Sequence, residues 1–268
     1  MEKIGNCRLC GMEGILQDSH IVPKFIGRWI RKTSEAGDLR IPYNPNKPEY
    51  DLFSTHLLCK KCEGIFSKFE TTFANKIFYK YQDNDRKFEY DDWLMNFVIS
   101  LSWRIGTLYF VNNSFDETNS KHVLLNEALN LWGSYLLGDN TNYGSYNHHL
   151  YFVDESKISE DFPPGYKYYF NRSVDGHVSY LPNGEMNIYC MLPGMLIVSN
   201  ISPKSIKGWR GTIINRFGTL HKYKQYTPIN IANYMVDRTI ISSYSLLNGI
   251  SDQQIEKIKV KASKKKES

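Results

Sequence analysis

The sequence predicts an α+β protein: an N-terminal domain built around a metal ion, then a helical segment, then a mainly β region. Three observations predict it. Four of the five cysteines form two C-x2-C pairs within the first 62 residues. Apolar residues then recur every three or four positions in successive stretches between Glu63 and Leu137, the spacing of helices. After a Gly/Asn/Asp-rich break at 138–147 the chain changes to short β-type runs punctuated by turn residues. This texture divides the chain into residues 1–82, a zinc-knuckle domain, and 83–268, an α+β region carrying no recognisable motif.

Composition is that of a globular protein long enough to bury a sizeable core: 268 residues, 41% hydrophobic and 23% charged. The 19 Tyr, 14 Phe and 5 Trp suit half-buried strands first and base-stacking surfaces second. A net charge of +5 is compatible with a polyanionic partner without requiring one. No run of 18 apolar residues is present, so no membrane span is expected, and the N-terminus MEKIGNCRLC lacks the apolar stretch of a secretion signal. A cytoplasmic, reducing location is the expectation, and there paired cysteines hold metal rather than disulfides.

Taken in order, residues from Thr33 to Asp51, with Pro42, Pro45, Pro48, Gly37, Asn44 and Asn46, read as a loop, and Leu52–Leu58 as a strand. Phe66, Phe69, Phe73, Ile77 and Tyr81 predict a helix over Glu63–Tyr81. Two further helices are predicted over Asp91–Val111 and Lys121–Leu137 (together about 91–137). Strands (about 148–217) are predicted at His149–Val153, Tyr166–Asn171, His177–Leu181, Asn187–Leu192, Met195–Ser199 and Thr212–Phe217, with Pro182-Asn183-Gly184 as a hairpin turn. A helix over Ile229–Leu247 follows, and the basic tail KIKVKASKKKES is expected to fray.

Cys7-Arg8-Leu9-Cys10 and Cys59-Lys60-Lys61-Cys62 stand 48 residues apart. Two residues between cysteines let a tight turn point both thiolates at one ion, and two such knuckles complete the tetrahedral sulfur shell of structural zinc. Gly11 suits the first knuckle's turn, and the second opens the predicted helix, where free N–H groups favour thiolate charge. This is the pattern of a treble-clef zinc domain. A redox dithiol needs only one pair. Cys190, in an apolar run, reads as a small buried hydrophobe.

Between the knuckles lies Asp18-Ser19-His20-Ile21-Val22-Pro23. A first CxxC, a strand ending in SHIVP, a loop, a second strand running into LLCKKC at 57–62 and a helix from Glu63 together resemble the HNH (ββα-metal) endonuclease family over roughly residues 5–75. The resemblance implies a ββα fold and metal-dependent hydrolysis of phosphodiesters. His20 matches the family's general base, a role suited to a neutral imidazole near pH 7. The positions of the family's catalytic-metal ligands, for Mg²⁺ or Mn²⁺, carry Ser19 and Glu63; Asp18 is one residue early, and Glu70 is a second carboxylate on the helix. The central Asn of the family falls near Ser54, with His56 two residues on, expected either to orient His20 or to pack on its strand. Such proteins are often effectors of antiviral defence or of mobile elements, which is likewise an implication of the resemblance alone.

Lys24, Arg28, Arg31 and Lys32 share one face if Pro23–Lys32 is helical, and Lys60, Lys61 and Lys68 flank the second knuckle. They are candidate phosphate contacts for nucleic acid, with DNA the expected partner, although a solvated amphipathic helix has the same pattern. His148 and His149 point to opposite sides of a strand and read as structural. Lys264, Lys265 and Lys266 read as a solubilising end. No P-loop, dinucleotide fingerprint or nucleophile elbow is present, and Val22 and Leu58 break the zinc-deaminase pattern. A metal-dependent endonuclease is the leading expectation; a non-catalytic zinc-dependent nucleic-acid-binding or regulatory protein is the alternative, and a protein-interaction adaptor the third.

Overall fold

The computed structural model describes residues 2–153, 166–203 and 206–266. It is a mixed α and β protein, 46% helix and 26% strand. The N-terminal part comprises β1 (Lys3–Asn6), β2 (Glu13–His20), α1 (Lys24–Thr33), a hairpin of β3 (Leu39–Ile41) and β4 (Asn44–Glu49), β5 (Ser54–Cys59) and α2 (Lys60–Phe73). Strands β1, β2 and β5 form one antiparallel sheet with β2 in the middle. Helix α2 passes through a π-helical turn, Ala74–Phe78, into α3 (Tyr79–Gln82), so the helix expected over 63–81 is present with one wide turn inside it.

The rest of the chain contains β6 (Lys87–Tyr90), α4 (Asp92–Asn112), α5 (Ser120–Leu137), β7 (Asn147–Phe152), α6 (Tyr166–Arg172), β8 (Asp175–Tyr180), β9 (Met186–Leu192), β10 (Met195–Ser202), β11 (Gly218–His221), α7 (Ile229–Gly249) and α8 (Asp252–Lys266). Asp91 caps α4 and Asn119 caps α5 through side-chain oxygens, and Gly138 ends α5 at φ 83°. Strands β7, β10, β9 and β8 form an antiparallel sheet in that order. Its turn at Leu181–Glu185 uses Gly184 as the sequence predicted.

Alternation along this sheet explains its long apolar runs. Ile188, Cys190, Ile197 and Phe152 face the cluster that includes α4 and α5, whereas Tyr189, Met191, Leu196 and Tyr151 face Ile231 and Met235 of α7. Both faces are covered, so the apolar residues run on without alternating with exposed polar ones. The larger cluster is continuous from Leu9, Phe66 and Phe73 through Phe97 to Trp132 and Leu150, and so includes residues on both sides of position 82. Helix α4 is long and apolar enough to cross a membrane by length and composition alone, but 67% of that apolar stretch is buried inside the protein, as in a core helix.

Four local expectations need correction. Residues 33–51 include the β3–β4 hairpin, because a two-stranded ribbon tolerates prolines that cannot donate to a wider sheet. Tyr166–Asn171 lies in helix α6, where Phe170 is buried against the α7 side; an aromatic run this short carries no period to tell strand from helix. Within 212–217 only an isolated bridge forms, Ile213 to His149, and the strand comes later, at β11 against β6. The tail forms helix α8 instead of fraying. Lys261 Nζ lies 2.8 and 2.9 Å from the carboxylate oxygens of Asp38, and Lys265 Nζ donates to the carbonyls of Lys32 and Ser34, which docks α8 on the side of the β3–β4 hairpin.

His148 and His149 are buried on opposite faces of β7, as read. His148 Nδ1 meets Ser199 Oγ at 2.7 Å; His149 Nδ1 meets Thr212 Oγ1 at 3.0 Å, and its ring stacks on Trp209 at 4.0 Å. Burial pushes both imidazoles down to about 3 from 6.5. Between those values the unfolded chain binds protons that the folded chain refuses, so stability falls as pH drops below 6.5, by about 1.4 kcal/mol per pH unit per histidine. Urea unfolding at pH 7 and pH 5 is expected to show that loss, and His148→Asn to show a shallower one; equal slopes would contradict it.

Candidate functional site

The cysteines meet at the base of the N-terminal sheet. Cys7 and Cys10 lie in the turn between β1 and β2, Cys59 ends β5, and Cys62 sits in the first turn of α2. Their four sulfurs lie within 4.8 Å of one another, with Cys10 and Cys59 at 3.9 Å. A tetrahedron with metal–sulfur bonds of about 2.3 Å has edges of about 3.8 Å, so the four can share one ion. Gly11, at φ 72°, closes the first knuckle, and its N–H donates to the Cys7 carbonyl. Burial opposes ionisation of Cys7, but backbone N–H groups of Cys10, Cys59 and Leu9 outweigh it and bring the thiol down to about 7. Among the described residues, this is the one group of three or more His, Cys, Asp or Glu side chains close enough to share a metal.

The end of β2 carries the residues singled out for chemistry. A bulge at Gln17/Asp18 shifts the pairing, so that Asp18 faces His56, Ser19 faces Thr55 and His20 faces Ser54. Cross-strand partners share a face. Asp18 and His56 are therefore exposed neighbours on one side of the sheet. Ser19, fully buried on the other side, donates from Oγ to Glu63 Oε2 at 2.7 Å. The polar contact of Glu63 runs to Ser19, and that of the His20 ring runs elsewhere.

The His20 ring is turned toward Asp51. Its Nε2 lies 3.1 Å from Asp51 Oδ2, which also takes the ammonium of Lys24 at 2.9 Å. The His20 contact is short but poorly aligned as a hydrogen bond. The imidazole is 13% exposed and Asp51 40%. Burial works to raise the Asp51 pKa, but Lys24, the Leu52 N–H and the His20 imidazole together hold it below the usual carboxylate range. Gly27 makes this approach possible: a Cβ there would lie 2.8 Å from Leu52 Cγ, so the Asp51–Leu52 segment rests directly on α1. Asp51 was missed because its neighbourhood reads as a Pro/Asn loop.

Beneath the site lies a second residue the motif did not reveal. Arg104, 1% exposed on α4, donates from Nη1 to the His20 carbonyl at 2.8 Å and to Glu70 Oε1 at 2.6 Å, with Phe66 5.3 Å below its guanidinium. Glu70 therefore answers a buried cation and does not face solvent. The signal was present: Arg104 is the one charged residue between Trp93 and Asn112.

Of the cations predicted to meet phosphate, Arg28, Lys60, Lys61 and Lys68 are exposed, and Lys24 is half-exposed but tied to Asp51. Arg31 is spent inside the fold, donating to the carbonyls of Gly37 and Tyr50, and so holds the segment that carries Asp51. No protein-family model, curated protein or solved structure matches the chain.

Two outcomes follow. The purified protein is expected to carry one tightly held ion per chain by elemental analysis; Cys62→Ser should lose it, with a Tm fall of roughly 10 °C at about 2–4 °C per kcal/mol. Arg104→Met should cost about 3–5 kcal/mol in urea unfolding, because it strands Glu70 in a half-buried site, and adding Glu70→Gln should recover part of the loss.

Proposed function

We propose that the chain is a metal-dependent, HNH-like endonuclease in which Cys7, Cys10, Cys59 and Cys62 bind structural zinc in a treble-clef frame. One observation carries the reading. Two antiparallel strands run into a helix whose start is tied to the sulfur cluster, and the histidine ends the first strand beside a serine bonded to the helix's first carboxylate. This is the order and pairing that the ββα-metal resemblance calls for.

In this reading His20 takes the proton of the attacking water. Asp51 favours the tautomer with the proton on Nε2, which leaves Nδ1 as the basic nitrogen. Glu63, with Ser19, is the half-buried carboxylate that would hold Mg²⁺ or Mn²⁺, an ion that keeps several waters and needs only one or two protein carboxylates. When bound, the ion supplies positive charge against the scissile phosphate. Asp18 and His56, on the opposite side of β2 from Ser19, suit contacts to substrate better than the ion. Arg28, Lys60 and Lys61 supply backbone-phosphate contacts.

A second reading, a non-catalytic zinc-dependent nucleic-acid-binding protein, draws on the lack of a second three-ligand cluster among the described residues. Plasmid DNA and single-stranded substrates incubated with Mg²⁺ or Mn²⁺ separate the two. Cleavage is expected, and His20→Ala should slow it 100-fold or more with bound zinc unchanged. Salt-sensitive binding with no cutting under either metal would replace the nuclease with the second reading.

A further inference from the structure

From Met186 to Val236 the chain contains no Asp or Glu, while Lys207, Arg210, Arg216, Lys222 and Lys224 fall within it. The fold joins this segment to another basic one. Pairing of β11 with β6 sets His221 opposite Lys87, and Lys87 lines a shallow depression with Lys76 and Lys80 at the helical turn around Tyr79. Just beyond β11, Lys222 lies 4.8 Å from the ring centre of Tyr81 and 5.8 Å from that of Tyr223. Arg86 lies over Tyr223 at 5.7 Å and donates from Nε to its hydroxyl. Arg210 lies over Tyr226 at 5.8 Å, and the two backbones are bonded to each other. Tyr223 remains 55% exposed and Tyr226 52%. Asp83, Asp85 and Glu89 sit among these residues, and Glu89 is already paired with Lys87.

Cations alternating with half-exposed rings, on a strand and turn and not on a projecting helix, match one form of polyanion better than others. A duplex hides the faces of its bases and is read by elements that enter a groove. An unpaired strand offers both phosphates to Lys and Arg and base faces to tyrosines. We infer that the β6–β11 face, centred on Tyr223, Lys222 and Arg86, binds a single strand of nucleic acid. The inference rests on reading the chain as a nucleic-acid protein, and specifies the form in which the nucleic acid is held.

Fluorescence anisotropy of the full chain with a labelled oligothymidylate of about 20 nucleotides tests it, without added Mg²⁺ or Mn²⁺ so that cutting cannot intervene. Wild type is expected to bind the single strand more tightly than a duplex of equal length. Tyr223→Ala should weaken single-strand binding about tenfold, the loss of one stacked base, while Tyr223→Phe keeps most of it. Lys222→Ala with Lys224→Ala should flatten the salt dependence. Equal or tighter binding of the duplex, or single-strand affinity indifferent to Tyr223→Ala, would overturn the inference. Binding through Tyr223 by a chain that never cuts would uphold this face and remove the nuclease; cutting through His20 with Tyr223→Ala binding unchanged would do the reverse.

Discussion

Four sulfurs drawn to one point set the geometry of everything around them. They pin the β1–β2 turn to the junction of β5 and α2, although 48 residues separate the two knuckles. A small sheet of three short strands buries little surface by itself, and closing so long a loop costs entropy that an ion can repay. With the base fixed, β2 and β5 must run side by side to their far ends. There Ser19 turns to Glu63 at the start of α2, and the His20 ring turns to the Asp51 segment.

A charge buried in the core ties this corner to the rest of the molecule. Arg104 belongs to a helix otherwise uncharged between Trp93 and Asn112, yet its guanidinium reaches the carbonyl of His20 and the carboxylate of Glu70. A buried ion pair is weak support for stability, but breaking it by removing one partner is costly, and here both partners of Arg104 lie at this corner. The backbone at His20 is thus held from below by α4 while its ring is engaged from the side by Asp51.

Much of this was legible. The cysteine spacing located the sulfur cluster, and the 3.6-residue rhythm located α2, α4, α5 and α7 within a few residues, because those helices bury one continuous stripe or are buried all round. SHIVP located the end of β2. What escaped were features set by tertiary contact. Prolines at 42, 45 and 48 disguised a hairpin that needs no partner strand on its outer edge. The tail reads as solvated lysine, and contacts far away in sequence, with Asp38 and the carbonyls of Lys32 and Ser34, make it a docked helix. Asp51 carries no local pattern; its place depends on Gly27 allowing Leu52 to lie against α1.

The hairpin is gripped from two directions. Arg31 holds its approach and the carbonyl of Tyr50, while Asn46 bonds to Gly249 and Ser251 where α7 meets α8. On the ribosome the hairpin emerges some two hundred residues before its second clamp exists. A fragment ending before α7 would keep the contacts of Arg31 and Lys24 with the Tyr50–Asp51 segment but lose the Asn46 clamp, leaving the hairpin held at one end only.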